Sequence, residues 1–505
     1  MDNERLETKW KVALVGVVAL AAFLRFFRLG HQSFWTDEIL TYWAFVSEKG
    51  APYWKKFLYD VHGPFYTCVL HFWSKVSMSE AWLRAPSALA GTAAAYFAFK
   101  WMNKFLNSKT ALLGAVIFAL SPIHIYYSQE MRFYSFLIFF TIVTLIIFEK
   151  FCEKPDKRTS ILLGLAMLLT SLSHFSGVFI FVALFVVLLS RGFLRGEHLK
   201  GYIIVSLILI VGISPWIYRE IYFLRGIDVI GFSVPTEVRF REELAITPMA
   251  YPYSLYVFAT GYSFGPSLRD LHVMSALEII RRYNINLILF SVTFVPLLII
   301  GMIRSIKASR FLYFLSIIVV SIVMVTLIAL LNIKVFNPRY LLCSLPAFIA
   351  LVAMGIPQRG VVYKAGFLVL MVSIMLVSDY NYFFDERYSR DDVRSAARII
   401  EKNEQKGDLV LVLTVGEVFD YYFKGAATYK YVSARSKSEE KLKKLLDRYM
   451  SDYRRIWYVR CRYWDNDPEN RLLAYMSSHR HASSVWHMAG IDLFLMEPVS
   501  KAQDR

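Results

Sequence analysis

Apolar runs close to twenty residues long recur along this chain, separated by short polar segments rich in lysine and arginine. A helix rises 1.5 Å per residue, so about 20 such residues cross the ~30 Å hydrocarbon layer of a bilayer. The pattern predicts membrane helices near residues 12–30, 84–102, 110–127, 133–151, 160–174, 177–191, 201–219, 286–303, 311–331, 340–356 and 361–379. The connections alternate in charge. One set carries Lys100, Lys104 and Lys109; Lys150, Lys154, Lys157 and Arg158; Arg191, Arg195 and Lys200; Arg304, Lys307 and Arg310; and Arg359 and Lys364. Arg5, Lys9 and Lys11 at the N-terminus join them. The opposite set is poor in cations, with none between Leu172 and Val178 and only Arg132 between Ser121 and Ser135. The positive-inside rule assigns the basic set to the cytoplasm. About eleven spans from a cytoplasmic start then put the C-terminus outside. The first run lacks a small-residue cleavage site and is read as a span rather than a signal peptide.

Three longer segments fall on the outer side in this reading. Residues 31–83 are rich in tryptophan (Trp35, Trp43, Trp54, Trp73, Trp82), which suits amphipathic helices lying at the headgroup level. Residues 220–285 contain PMAYPYSLY and GYSFGPSL. Beyond residue 380 the pattern changes period. RDDVRSAARIIEKN and SKSEEKLKKLLDRYM read as amphipathic helices, DLVLVLTV as a buried strand, and RRIWYVRC and IDLFLME as further strands. The expected fold is a polytopic α-helical membrane protein with a transmembrane module over residues 1–380. A soluble α/β domain over 381–505 would follow on the extracytoplasmic side.

Composition narrows the class further. Of 505 residues, 56% are hydrophobic and only 19% charged, and the mean hydropathy is +0.42, too apolar for a soluble protein of this length. The net charge of +17 comes from cations scattered through short connections, so it has a topological reading and implies no nucleic acid. Four cysteines without a CxxC pair imply neither a disulfide framework nor a zinc knuckle.

Several ionisable residues converge on the outer side. Asp37 and Glu38 sit in FWTDEI, and His62 in YDVHGPFY. His124, Glu130 and Arg132 lie in SPIHIYYSQEMRFY, His174 in SLSHFSG, Arg339 in FNPRYLL, and Arg84 opens WLRAPSALAG. Each has an ordinary reading alone: a solvated acid pair, an interfacial histidine, a snorkelling arginine. Their convergence on one face of a protein that can hide little charge in lipid points instead to a site working at the membrane surface. A transporter would hold such groups near the middle of its spans.

These residues also carry a resemblance. LRFFRLGHQSFWTDEILTYWA resembles the first-loop signature of the GT-C glycosyltransferases, in the branch containing protein O-mannosyltransferases and the aminoarabinose transferase of lipid A. That signature is an arginine-containing helix end followed by W-x-DE. YDVHGPFYTCVL is similar to the H-P-P-L-Y element that follows, with Gly63 where the first proline is usual. LRAPSALAG, SQEMRFYSFLIFF and NPRYLLCSLPAFIAL resemble the next elements in order, and YSRDDVRSAARIIEKNEQKGDLVLV resembles the opening of the extracytoplasmic domain of bacterial members.

The resemblance implies transfer of a sugar, with inversion, from a polyprenyl-phosphate donor to a protein hydroxyl or a glycan or lipid acceptor. It implies a multi-pass protein of a bacterial or archaeal cytoplasmic membrane, acting on the extracytoplasmic face. Asp37 occupies the position of the family's catalytic aspartate, the expected general base, and Glu38 would orient it or share the proton. Arg339, Arg132 and Arg84 are the expected partners of the donor phosphate, because guanidinium forks match phosphate geometry. His62, Glu130, His174 and Tyr134 are the expected substrate-binding groups. Arg25 and Arg28 would contact the phosphate or headgroups, or snorkel.

No obligatory cofactor is expected. A divalent ion on His62, Asp37, Glu38 and Glu130 stays open, although no HxxxH-like pair is present. Two other readings remain: a lipid-linked sugar flippase or exporter, and a polysaccharide polymerase or ligase. The second would use the basic loop with Arg225, Arg239, Arg241, Arg269, Arg281 and Arg282.

Overall fold

Helices form wherever the apolar runs predict them. The computed structural model describes residues 2–47, 63–224, 246–331, 333–357, 360–435 and 437–499. His62, Trp54, Arg225, Arg239, Arg241 and Arg359 lie outside the described residues. The chain divides into two units. One comprises residues 1–29, 44–264 and 285–379, the other residues 30–43, 265–284 and 380–505.

The first unit is helical. Helix Asp2–Phe26 packs on Glu80–Met102 and Ser108–Ala119, and Tyr134–Glu153 packs on Glu80–Met102 and Lys157–Ser173. Gly196–Leu224 covers the other side of Lys157–Ser173, and Gly177–Ser190 lies against Phe311–Leu330. Polar residues fix the helix starts. Asn107 accepts from the Thr110 N–H at 2.9 Å and Asp156 from the Thr159 N–H at 2.8 Å, satisfying donors that a first turn leaves open. Gly301 and Gly355 let Asn284–Lys307 and Leu345–Gly355 touch backbone to backbone. A Cβ on Gly355 would lie 1.9 Å from the Leu297 carbonyl oxygen, and one on Gly301 2.0 Å from that of Leu351.

Among the described residues, six helices are long and apolar enough to cross a membrane: Tyr134–Glu153, Gly196–Tyr218, Asn284–Lys307, Phe311–Leu330, Pro338–Gly355 and Val361–Phe384. The chain is an integral membrane protein. The span expected at 110–127 is a pair of helices, Ser108–Ala119 and Pro122–Ser128, bent by 55°. Pro122 has no N–H to give the preceding turn, so the first helix stops and a second starts on it. Counting that pair as one span gives seven. The four remaining expected spans fall on other helices: the one at 12–30 on Asp2–Phe26, which begins with a charged stretch, and the others on Lys157–Ser173 with 17 residues, Gly177–Ser190 with 14, and the alanine-rich Glu80–Met102.

In the second unit, a five-stranded sheet has the order β2-β1-β3-β5-β4. β1 (Leu409–Leu413) runs parallel to β2 (Thr428–Val432) and β3 (Ile456–Cys461); β5 (Ile491–Pro498) is antiparallel to β3 and to β4 (Arg480–Met488). β1 is buried along its whole length, as its unbroken apolar run predicts. Helices Val393–Asn403 and Glu439–Asp452 form where amphipathic segments were expected. β2 and β4 were not expected. Both are edge strands in which exposed polar residues interrupt the apolar pattern.

Candidate active site

The acid pair folds with the second unit. Residues 36–41 form one short helix, followed by a π-helical turn over Tyr42–Val46. Adjacent residues on a helix point about 100° apart, so the two carboxylates have different surroundings. Glu38 has no exposed surface. Its Oε2 accepts from the Trp35 N–H at 3.3 Å, which caps the helix start, and from Arg390 Nη1 at 2.9 Å. The Arg390 side chain is itself only 6% exposed. Removing one member of such a buried pair costs about 3–5 kcal/mol, because the other charge is left uncompensated. Asp37 is half-buried, and its carbonyl accepts from the Thr41 hydroxyl at 2.9 Å.

The segment preceding the acids is bound just as closely. Arg390 N–H donates to Gln32 Oε1 at 3.2 Å, Ser33 Oγ donates to Asp392 Oδ1 at 2.9 Å, and the Tyr422 hydroxyl accepts from the Phe34 N–H at 2.7 Å. Arg394 donates to the Gly30 and His31 carbonyls. Asp392 also caps the helix Val393–Asn403. Its neighbour Asp391 pairs with Arg462 at 2.7 Å; burial pushes the Asp391 carboxyl up, and the guanidinium pulls it back. Arg390, Asp392 and Arg394 were not singled out from sequence. Their signal was the clustered charge of YSRDDVRS, which reads equally well as a solvated helix start.

In the first unit, four of the expected substrate and phosphate residues, His174, Tyr134, Arg132 and Arg339, gather around one aromatic cluster. His174, buried at the end of helix Lys157–Ser173, stacks on Phe133 at 4.9 Å and 23°, and on Tyr340 at 5.8 Å and 16°. The guanidinium of Arg132 lies over the Phe133 ring at 4.7 Å, and that of Arg339 over the Tyr340 ring at 5.3 Å. Tyr134 packs at 5.7 Å from the same imidazole. The His174 Nδ1 accepts from the Ser176 N–H at 3.2 Å, which fixes the ring plane. Two of the three expected phosphate ligands thus flank one aromatic column.

Arg84 is 1% exposed and donates to the Leu29 carbonyl at 3.1 Å, closing the chain that leaves the first helix. Glu130 is fully buried in the turn between Pro122–Ser128 and Tyr134–Glu153. Arg25 is fully buried and donates to the carbonyls of Ala21, Phe118 and Ala119 and to His124 Nδ1 at 2.7 Å. The snorkelling alternative for Arg25 is therefore replaced by a backbone clamp. It also lies within electrostatic reach of Asp379, whose carboxyl oxygens have no hydrogen-bond partner among the described residues. Gln129 caps the same helix end, its Nε2 reaching the carbonyls of Leu24, Arg25 and Phe27.

Gly63 has a physical reason to depart from the family's proline: a Cβ there would lie 1.9 Å from the Leu172 carbonyl oxygen. Among the described residues no three His, Cys, Asp or Glu side chains come together as a metal site, and His62 falls outside that set.

Comparison with known proteins sets this geometry in context. The family model for dolichyl-phosphate-mannose-protein mannosyltransferases matches residues 61–218, less than half of the chain. No curated protein matches the sequence. Among solved structures, the crystal structure of ArnT from Cupriavidus metallidurans bound to undecaprenyl phosphate is similar over 97% of this chain and 98% of that one, with a TM-score of 0.57 and 12% identity. The archaeal oligosaccharyltransferase AglB from Archaeoglobus fulgidus, in complex with an inhibitory peptide and a dolichol-phosphate, is similar over 99% of this chain and 75% of its own, with a TM-score of 0.51 and 10% identity. The chain thus shares the overall fold of these structures over nearly its whole length.

The aromatic column makes a stability prediction. His174→Ala removes the ring contacts to Phe133, Tyr134, Phe175 and Tyr340, each worth about 0.5–1.5 kcal/mol at most, whereas His174→Phe keeps a ring there and loses the imidazole hydrogen bonds, those of Nδ1 with Ser176 among them. Thermal unfolding in detergent should rank wild type above Phe, and Phe above Ala. Equal midpoints for Phe and Ala would mean that the ring contacts contribute nothing.

Proposed function

We propose that this protein is a membrane glycosyltransferase that moves a sugar from a polyprenyl-phosphate carrier to an acceptor hydroxyl, with inversion at the anomeric carbon. The observation that carries the reading is the unequal treatment of the acid pair: Glu38 is locked in a buried ion pair, while Asp37, beside it, keeps a partly open face. The fold supports it, since ArnT and AglB were solved with polyprenyl phosphates. In the proposed step the acceptor oxygen attacks the anomeric carbon and its proton passes to the Asp37 carboxylate. The bond from that carbon to the phosphate oxygen breaks, and the electron pair leaves with the lipid phosphate. A base contributes about 10²–10⁴-fold to such a transfer.

The leaving phosphate gains charge and calls for cations rather than an acid. We assign that role first to Arg339 and second to Arg132, the two guanidiniums flanking the His174 column. Arg84 is third, because it already holds the Leu29 carbonyl. His62, Glu130, His174 and Tyr134 are proposed to shape the substrate site, and no metal is required. The proposal includes about eleven spans, counting the shorter helices with the bent pair. It also places the C-terminal α/β region and the transfer site on the extracytoplasmic side, with residues 1–380 and 381–505 as the functional division.

Three experiments bear on this reading. Cysteine labelling in intact cells should find positions 157 and 307 protected and Gln405→Cys reactive; protection of position 405 would put the α/β region on the wrong side. Asp37→Asn should reduce release of free polyprenyl phosphate at least about 100-fold while donor binding survives. Near-normal turnover in that variant would remove the base. Arg339→Lys, which keeps the charge and loses the fork, should retain part of donor affinity and lose more of kcat, while Arg339→Ala should lose both. Wild-type values for Arg339→Ala would end the phosphate assignment.

A further inference from the structure

The acid helix is short, and one hydrogen-bonded turn does little to hold a side chain in place. Its fixation comes from a distant stretch of sequence. Glu38, adjacent to Asp37, is ion-paired to Arg390 with both side chains nearly sealed from solvent. Residues 30–34 are stitched to residues 382–394 and to Tyr422 by the bonds of Gln32, Ser33, Phe34 and Arg394. Phe34 and Tyr42, which bracket the acids, both pack edge-on against Tyr421, at 5.6 and 4.8 Å. The residues that grip the acids thus come from the segment leading into helix Val393–Asn403 and from helix Gly416–Tyr422, which packs against the acid helix.

We infer that Arg390 is a positioning residue for the transfer reaction, acting through Glu38 to set the Asp37 carboxylate, and that the C-terminal α/β region is thereby a working part of the catalytic apparatus. The inference rests on the reading of Asp37 as the base. Its physical basis is that a carboxylate one residue along the same helical turn is fixed at two points, the Trp35 N–H and the Arg390 guanidinium. The backbone turn that carries its neighbour then cannot shift without disturbing a buried ion pair. A small displacement of a reacting group costs rate without costing ground-state affinity. Asp391 reinforces the anchor, since its ion pair with Arg462 and the bond from the Asp392 N–H to the Ala489 carbonyl at 2.8 Å tie the Arg390 segment to the sheet.

The test uses the full-length protein in detergent or nanodiscs, with a defined polyprenyl-phosphate sugar that wild type turns over. Four variants are compared with wild type: Arg390→Met, Arg390→Lys, the double variant Glu38→Gln with Arg390→Met, and Asp37→Asn as reference. Arg390→Met should lower kcat by about 10–100-fold with donor KM within about threefold of wild type. Arg390→Lys should recover part of that loss. The double variant removes the uncompensated charge, so it should regain thermal stability yet keep the low kcat.

Wild-type kcat in Arg390→Met overturns the inference. So does a double variant with normal kcat, because the defect would then be stray buried charge. A fall of kcat, donor affinity and thermal midpoint in proportion shows a structural residue only and overturns it too. If Arg390→Met does not fold, Arg390→Lys and the double variant still decide. Near-normal turnover by Asp37→Asn fails the functional reading itself, whereas an inactive Asp37→Asn beside a fully active Arg390→Met fails the positioning role alone.

Discussion

A carboxylate with no surface in water must find a cation and further hydrogen bonds or cease to be charged, and Glu38 finds them in Arg390 and the Trp35 amide. That requirement shapes far more than one contact. It obliges a segment some 350 residues away in sequence to return to the first loop, and it draws Gln32, Ser33 and Phe34 into bonds with the same segment. The division of the chain follows: residues 30–43 fold with residues 380–505 and not with the helix that leads into them. Of the loop read from sequence as residues 31–83, only the stretch up to Trp43 clusters with the α/β unit.

Buried and half-buried cations in the helical unit obey the same physics with a different partner. Arg25, Arg84 and Arg304 all donate to helix-end or loop carbonyls, Arg304 reaching those of Met354 and Ile356 at 2.5 and 2.7 Å. Carbonyls at helix ends have no partner within their own helix, and among apolar neighbours each would be costly if left open. Arginine satisfies several at once with a planar fork that lysine lacks. Arg310 instead meets Glu149 at 2.5 Å beneath the ring of Phe105. Arg304, one of the cations read from sequence as marking topology, therefore also closes the end of a helix.

Much of this was legible in the chain. Apolar runs gave the helix positions because lipid and protein core both demand apolar surface, and the five-residue run of β1 gave a strand buried on both faces. Legibility failed where a residue's role depends on a distant partner. The break at Pro122 was visible as a proline, yet the uninterrupted apolar run around it read as one span. β2 and β4 lie at sheet edges and carry solvent-facing residues that blur a period of two. His174 was singled out as a lone histidine, and nothing in SLSHFSG announces that Phe133 and Tyr340 will sandwich it. Gly63 looked like a departure from a motif until the Leu172 carbonyl supplied the reason.

The acid pair shows how far sequence can go before geometry must decide. Two adjacent carboxylates are equivalent by composition, and a motif nominates one only by position. Their surroundings separate them: residues one apart face directions about 100° different, and here Glu38 is fully buried while Asp37 keeps exposed surface. The buried member is drawn into an ion pair and becomes part of the scaffold. A base must exchange its proton with an acceptor in every cycle, and a carboxylate committed to a buried guanidinium is poorly suited to that, since protonating it would break the pair that holds the helix. Glu38 is committed in this way, which is why the proposed base is Asp37. The fixed surroundings of Glu38 then bear on Asp37 directly: the scaffold acid holds the turn from which the proposed base projects.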